Sequence, residues 1–172
     1  MNNLIRLTEY GPELIRDDGW SLALTEGETV AGPRILSLDG WLQCQPAAVL
    51  GGLVPSADAV CLQPDDEAER LQPYLAVLPL IAVLFPSFRD GRGYSQAYLL
   101  RTRIGWTGEL RAVGDVLRDQ LSHMRQCGFD AFAVREDKSV EDAIKGLSGM
   151  SVLYGRSAIE PRPLFRRRTS TC

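Results

Sequence analysis

The groups best suited to chemistry crowd into one short stretch, Arg89-Asp90-Gly91-Arg92-Gly93-Tyr94-Ser95. Arginine's planar fork donates paired hydrogen bonds to carboxylates, phosphates and sulfate-like oxyanions. Glycines permit a tight turn with close backbone approach, and a helix opening after them aims free amides at an anion. Arg89, Gly91, Arg92, Gly93 and Ser95 are therefore candidates for anion binding. Asp90 can orient an arginine or move a proton, and Tyr94 can supply a hydroxyl. The spacing matches neither the GxGxxG dinucleotide fingerprint nor the lysine-bearing phosphate loop. The plainer alternative is an Asp–Arg-braced loop leading into a capped helix.

Arg111 stands inside an apolar run, between Leu110 and Ala112. A buried charge must be paired, and Asp90, Glu109 and Asp115 are the partners on offer. In an anion site Arg111 would join Arg89 and Arg92. Asp115 is placed to cap a helix, and with Asp90 and Tyr94 it completes a short set of candidate catalytic groups. Gln120 interrupts an apolar helical neighbourhood. The single histidine, His123, has no neighbour in sequence to act with and is expected to be structural or solvent-facing. Cys44, Cys61, Cys127 and Cys172 are widely spaced and form no CxxC pair, which argues against a structural zinc site or a cysteine-held iron–sulfur cluster. No metal site is expected, and no GxSxG elbow supports a hydrolase.

These groups sit on a strand–helix alternation. Leu80–Phe85, Glu109–Val113 and Phe129–Val134 are apolar runs of the kind buried on both faces of a sheet. Ala97, Leu100 and Ile104 recur at helical spacing, with Gly105 as a C-cap; Leu117, Leu121 and Met124 do the same before Gly128. Ala57–Leu62 reads as a further strand, followed by a helical pattern that Pro73 would kink or divide into two short turns. Trp20–Leu24 reads as an edge strand and Arg34–Leu38 as a short one. Residues 42–53 suit a short helix or a covering loop. Lys138–Met150 suits a helix and Ser151–Tyr154 a last strand. The pattern predicts an α/β fold, with a mainly parallel sheet flanked by helices and Rossmann-like; the alternative is a partial β/α barrel. Post-strand loops then gather at the carboxyl edge, where ligands bind.

One domain suffices for 172 residues. It divides into an irregular, β-containing region (1–57) packed on an α/β core (58–160), and a basic C-terminal tail (161–172). The net charge of -3 conceals an asymmetry, since residues 1–80 hold four arginines against twelve acidic groups and the remainder is net basic. The halves can complement each other, or the basic half can face an acidic partner. Arg166-Arg167-Arg168 fits a solvated or protein-docking tail better than a nucleic-acid site. No apolar run reaches the roughly 20 residues of a membrane helix. MNNLIRLTEY lacks a secretory pattern, so the expected location is cytoplasmic.

LIAVLFPSFRDGRGYSQAYLLR, GELRAVGDVLRDQL, RQCGFDAFAV and the closing PLFRRR resemble the bacterial domain of unknown function family 934, over roughly residues 58–168. The resemblance implies a place in assimilatory sulfite reduction, because members carry an oxidoreductase label and are typically encoded beside sulfite reductase. It brings no catalytic residues with it. Six-electron reduction of sulfite needs a redox centre, and no cofactor motif is evident, although a dissociable nicotinamide or flavin stays open. The leading expectation is an accessory protein that binds an oxyanion or docks to sulfite reductase or its electron carrier. The rival is a small enzyme holding a phosphorylated or sulfur-containing anionic ligand at the carboxyl edge. Neither a nucleic acid nor a membrane is expected as a partner.

Overall fold

The computed structural model describes residues 1, 3–25, 30, 32–147 and 153–167. Its strands are β1 Leu4–Thr8, β2 Gly11–Ile15, β3 Ser21–Ala23, β4 Arg34–Ser37, β5 Ala59–Leu62, β6 Leu80–Phe85, β7 Glu109–Gly114 and β8 Ala131–Ala133. They form one sheet in the order β2-β1-β8-β7-β6-β5-β4-β3. From β3 to β8 each strand lies parallel to the next in sequence. β1 runs antiparallel to β8 and forms a hairpin with β2. Residues before 58 thus supply four of the eight strands.

Strand order decides the winding. A Rossmann-like sheet reverses its order near the middle and carries helices on both faces. Here the parallel strands advance in one direction, and right-handed crossovers keep sending the connections to the same side. The result is an eight-stranded sheet curled into a half-barrel and flanked by helices. The expected mainly parallel, Rossmann-like sheet gives way to a mixed one, because the N-terminal hairpin enters beside β8 against its direction. The alternative, a partial β/α barrel, is the architecture this winding fits.

Because side chains alternate along a strand, each central strand serves two cores. On the helix side lie Ile81, Val83 and Phe85 of β6, Leu110 and Ala112 of β7, and Phe132 of β8, all fully buried. The helices covering them include α1 Leu38–Cys44, α2 Ala47–Leu50, α3 Arg92–Leu99 and α4 Leu121–Cys127. On the opposite, inner face Ile35, Ala59, Cys61, Ala82 and Val113 are covered by Met1, Trp20, Leu22 and Leu24. With both faces packed, the strands read as unbroken apolar runs.

Local signals held where backbone chemistry is strict. Gly105 and Gly128 end their helices in the left-handed region, with φ of 84° and 109°. Pro73 lies in a 3-10 stretch, Ala68–Tyr74, so the helical pattern there does not run as a kinked α-helix, since proline lacks the amide that an α-helix interior needs. The expected helix Lys138–Met150 is shorter: α5 Val140–Ala143, capped by Ser139, runs into a 3-10 turn at Ile144–Leu147. Residues 148–152, which include part of the expected strand Ser151–Tyr154, lie outside the described residues. A last short helix, α6, spans Leu164–Arg167.

Gly93 shows how tightly α3 seats on β6. A Cβ there would stand 2.8 Å from Phe85 Cζ and 3.0 Å from Val83 Cγ1. Phe85 cannot easily yield, because its ring is wedged between Tyr94 and Phe129, at centroid distances of 5.1 and 5.8 Å. Gly93→Ala is expected to destabilise the fold by about 1–3 kcal/mol, as overpacked cores do. Urea denaturation of the purified variant measures this, and an unchanged midpoint would contradict the packing role.

Candidate functional site

The carboxyl edge of the parallel strands is a continuous ionic seam. At the end of β7, Gly114 holds φ +96°, where a Cβ would stand 2.4 Å from the Phe85 carbonyl oxygen, so β6 and β7 touch backbone to backbone there. Asp115 follows, and its amide donates to Phe85 O at 2.7 Å. Its carboxylate accepts from the Phe88 amide at 2.7 Å and from Arg135, after β8, at 2.8 Å. The Phe88 amide first, then Arg135, hold the Asp115 carboxyl below the usual range. Arg135 also grips Asp137 at 2.6 and 2.7 Å. One carboxylate therefore ties together the loops after β6, β7 and β8. Asp115 does not cap a helix: Gln120 does that, its side-chain oxygen accepting from the Leu117 amide at 2.9 Å.

On the helix side, Arg92 closes on Asp90 at 2.7 and 3.0 Å and also reaches Asp65 in the loop after β5. The hydrogen bonds from Arg92 hold the Asp90 carboxyl low. Gln96, buried on α3, donates to the carbonyls of Gln63 and Asp66 at 2.8 Å each, locking that same loop. Gly91 precedes α3 without a side-chain cap, and Gly93 serves close packing. Tyr94 lies half-buried against Phe85 and His123, and burial above all pushes its phenol up. Ser95 and Arg89 are exposed, and among the described residues Arg89 has no acidic partner.

Arg111 lies elsewhere. It projects from mid-β7 onto the inner face, opposite Ala82 and Ala131, whereas α3 packs on the other face. Arg89 and Arg92 are therefore not brought together with it. It is fully buried, 2.6 Å from Glu109 and 2.5 Å from Asp18. The Asp18 contact is an ion pair whose geometry falls outside that of a hydrogen bond. Met1 Sδ lies 3.3 Å from its guanidinium, and the Met1 ammonium donates to Asp18 at 3.1 Å and to Trp20 O at 2.7 Å. Glu109 also pairs with Arg6 of β1 at 2.9 Å. Of the partners proposed from sequence, Glu109 is realised, and Asp18 was invisible because only the fold brings it near.

The inner face opens at the carboxyl edge into a cleft of about 640 Å³. Its lining includes Trp20, Leu22, Val113, Gly114, Ala133 and Arg135. Sequence reasoning placed a site at this edge but missed the cleft. The legible clue was Arg135, which follows a buried strand just as Gly114-Asp115 follows the one before. Trp20 gave no clue beyond its place in an edge strand.

Burial shifts three further titratable groups. Cys61 is fully buried and its thiol is pushed up by desolvation first. Cys127 is half-buried, 3.9 Å from His123 Nε2, and burial raises it too. Burial likewise raises Asp130, although the Leu110 amide and Arg101 both bind it. Among the described residues no three His, Cys, Asp or Glu side chains converge as a metal centre would need, and no helix is long and apolar enough to cross a membrane.

A mixed half-barrel with a braced carboxyl edge and a cleft on its inner side defines the class: an α/β protein of singly wound topology. More narrowly, the chain belongs to the family described as "Bacterial protein of unknown function (DUF934)", whose model matches residues 59–165. No curated protein and no solved structure matches the chain.

The inner-face cluster has a pH signature. Burial alone would raise the Asp18 carboxyl, but Arg111 and the N-terminal ammonium outweigh it and hold the group low. A carboxyl more acidic in the folded than in the unfolded chain adds stability that is complete above its unfolded value of about 3.9 and is lost as pH falls through the folded one. Asp18→Asn removes this dependence. Urea midpoints measured between about pH 5 and pH 2 should fall more steeply for the native chain than for the variant, and parallel curves would contradict the assignment.

Proposed function

We propose that this protein is an accessory factor of assimilatory sulfite reduction that docks to the reductase or its electron carrier and does not itself capture an oxyanion. The pathway rests on the family resemblance of the four motifs in the chain. The docking reading rests on one observation: two of the three arginines expected to hold an anion already have acids of their own. Arg92 is closed on Asp90 and Asp65, and Arg111 on Glu109 and Asp18. An anion would have to displace those carboxylates, and at Arg111 it would also have to enter a buried cluster. What the carboxyl edge offers outward is Phe88, 52% exposed, beside Arg89, which has no acidic partner among the described residues. An exposed aromatic next to a guanidinium suits the centre of a protein interface, where both residue types are enriched.

The cleft favours a second reading, a small enzyme holding a phosphorylated or sulfur-containing ligand at the carboxyl edge. It has the size and placement of a ligand site in barrel-like folds, and Arg135 is the arginine in its lining.

A pull-down with sulfite reductase, followed by turnover of sulfite with and without the protein, tests the first reading. Complex formation is expected, and Phe88→Ala with Arg89→Ala should weaken it by about tenfold or more. No complex and no change in turnover would refute docking. Calorimetric binding of a small phosphate ester, lost in Arg135→Ala, would favour the second reading.

A further inference from the structure

The basic C-terminal stretch is folded back on the body of the protein through residue 167. Its entry is pinned at the amino-terminal end of the sheet, where the Ala158 amide donates to the carbonyl of Gln126, just before β8, at 2.9 Å. Ser157 and Glu160 then close a tight turn on each other: the Ser157 amide donates to Glu160 O, and the Glu160 amide to Ser157 Oγ, both at 3.0 Å. The Leu164 amide reaches back to Tyr154 O at 3.0 Å. Arg167 turns inward, pairing with Glu160 at 3.6 Å and donating to the Leu153 carbonyl. Glu160 thus answers the inner arginine of the segment.

The outer side is left with a different character. Tyr154 is 74% exposed and Phe165 58%, two aromatic rings that a solvated turn has no reason to present together. They border a groove of about 390 Å³, room for one large side chain, whose lining includes Arg156, Arg162, Pro163 and Arg166. Arg156 makes no ion pair among the described residues, and the contact of Arg162 with Glu160 is long, at 3.9 Å. The Arg166 guanidinium lies 6.0 Å over the Phe165 ring. Prolines on both sides, Pro161 and Pro163, fix the backbone and lower the entropy lost on binding.

We propose that this groove is a docking site for an acidic peptide segment of a partner protein, one that seats an apolar side chain between Tyr154 and Phe165 with flanking carboxylates on Arg156 and Arg162. Charge complementarity commits the occupant: the groove presents cations around an apolar slot, and arginine forks match carboxylates bidentately. A nucleic-acid strand fits less well. It needs a basic track spanning several nucleotides, whereas here the cations ring a slot for one side chain beside the carboxylate of Glu160. The surface lies at the opposite end of the sheet from the carboxyl edge, so it stands whether or not the docking proposed there is correct.

The test uses amide NMR of the full chain titrated with a ten-residue peptide of Asp and Glu bearing a central Phe. Shifts confined to Tyr154–Arg166 and their neighbours are expected, with affinity falling as salt rises. Replacing the peptide's Phe by Ala, or changing Arg156→Ala with Arg162→Ala in the protein, should each weaken binding by about tenfold or more. Resonances outside the segment report that the double variant has kept its fold; should it not, Arg156→Gln removes charge alone. The proposal is overturned if the peptide causes no shifts, if the variants bind it unchanged, or if a ten-nucleotide oligothymidine binds the groove as tightly as the peptide.

Discussion

A guanidinium with no solvent exposure sits on the inner face of the central sheet, and the fold is arranged around keeping it paired. A lone buried charge is prohibitively costly, so Arg111 obliges the chain to supply carboxylates on that face. Glu109 comes from the same strand, two residues back and hence on the same side. Asp18 comes from the link between β2 and β3, and pinning it draws that link across the inner face. Trp20 and Leu22 follow it into place and cover Ile35, Ala59, Ala82 and Val113. The same Glu109 reaches Arg6, which ties β1 to the parallel strands. A single strand charge thereby fixes the β2–β3 link and, through Glu109, β1.

The half-barrel explains why such a device is needed. A complete barrel fills its interior with side chains from opposing strands. A sheet curled only halfway has no opposing wall, and the N-terminal segment takes that place. At the amino-terminal end Arg101 performs a comparable brace, donating to the carbonyls of Trp106, Gly108 and Gly128 and to Asp130, all within 2.7–2.8 Å. The charge asymmetry of the sequence is spent in the same way. Arg92–Asp65, Arg103–Glu69 and Arg111–Asp18 each pair an arginine of the basic half with a carboxylate of the acidic one. Residues whose charges are answered inside the fold are weak ligands for a free oxyanion, and the exposed aromatic–arginine pairs are what remain to face partners.

Much of the fold was legible where local physics decides. The run Leu80–Phe85 was found with its bounds intact, and Gly105 and Gly128 announced their helix ends because the left-handed region is strained for other residues. The winding was not legible, since a strand–helix repeat is the same in an open sheet and in a barrel; only the absence of an order reversal separates them. The site was legible in part. The carboxyl edge, the bracing of Asp90 with Arg92 and the need of Arg111 for a partner were all readable. Asp18 and Trp20 were not, because their proximity depends on how the N-terminal segment crosses the sheet, and Arg135 was missed although its place after a buried strand was a signal. Asp115 misled for a simple reason: an aspartate after a glycine at the start of a helical stripe signals a cap, and here its carboxylate joins loops instead.

A double-mutant cycle between Asp18 and Arg111, read by urea denaturation at neutral pH, most directly tests whether Arg111 is a structural clamp. Arg111→Met alone takes from Asp18 and Glu109 the cation they share, leaving them only the Met1 ammonium and Arg6, and should cost up to about 3–5 kcal/mol. Adding Asp18→Asn should restore part of that loss, giving a coupling of at least about 1 kcal/mol. If the two effects simply add, or if Arg111→Met leaves stability unchanged, the clamp does not exist, and Arg111 regains its standing as a residue kept for a ligand.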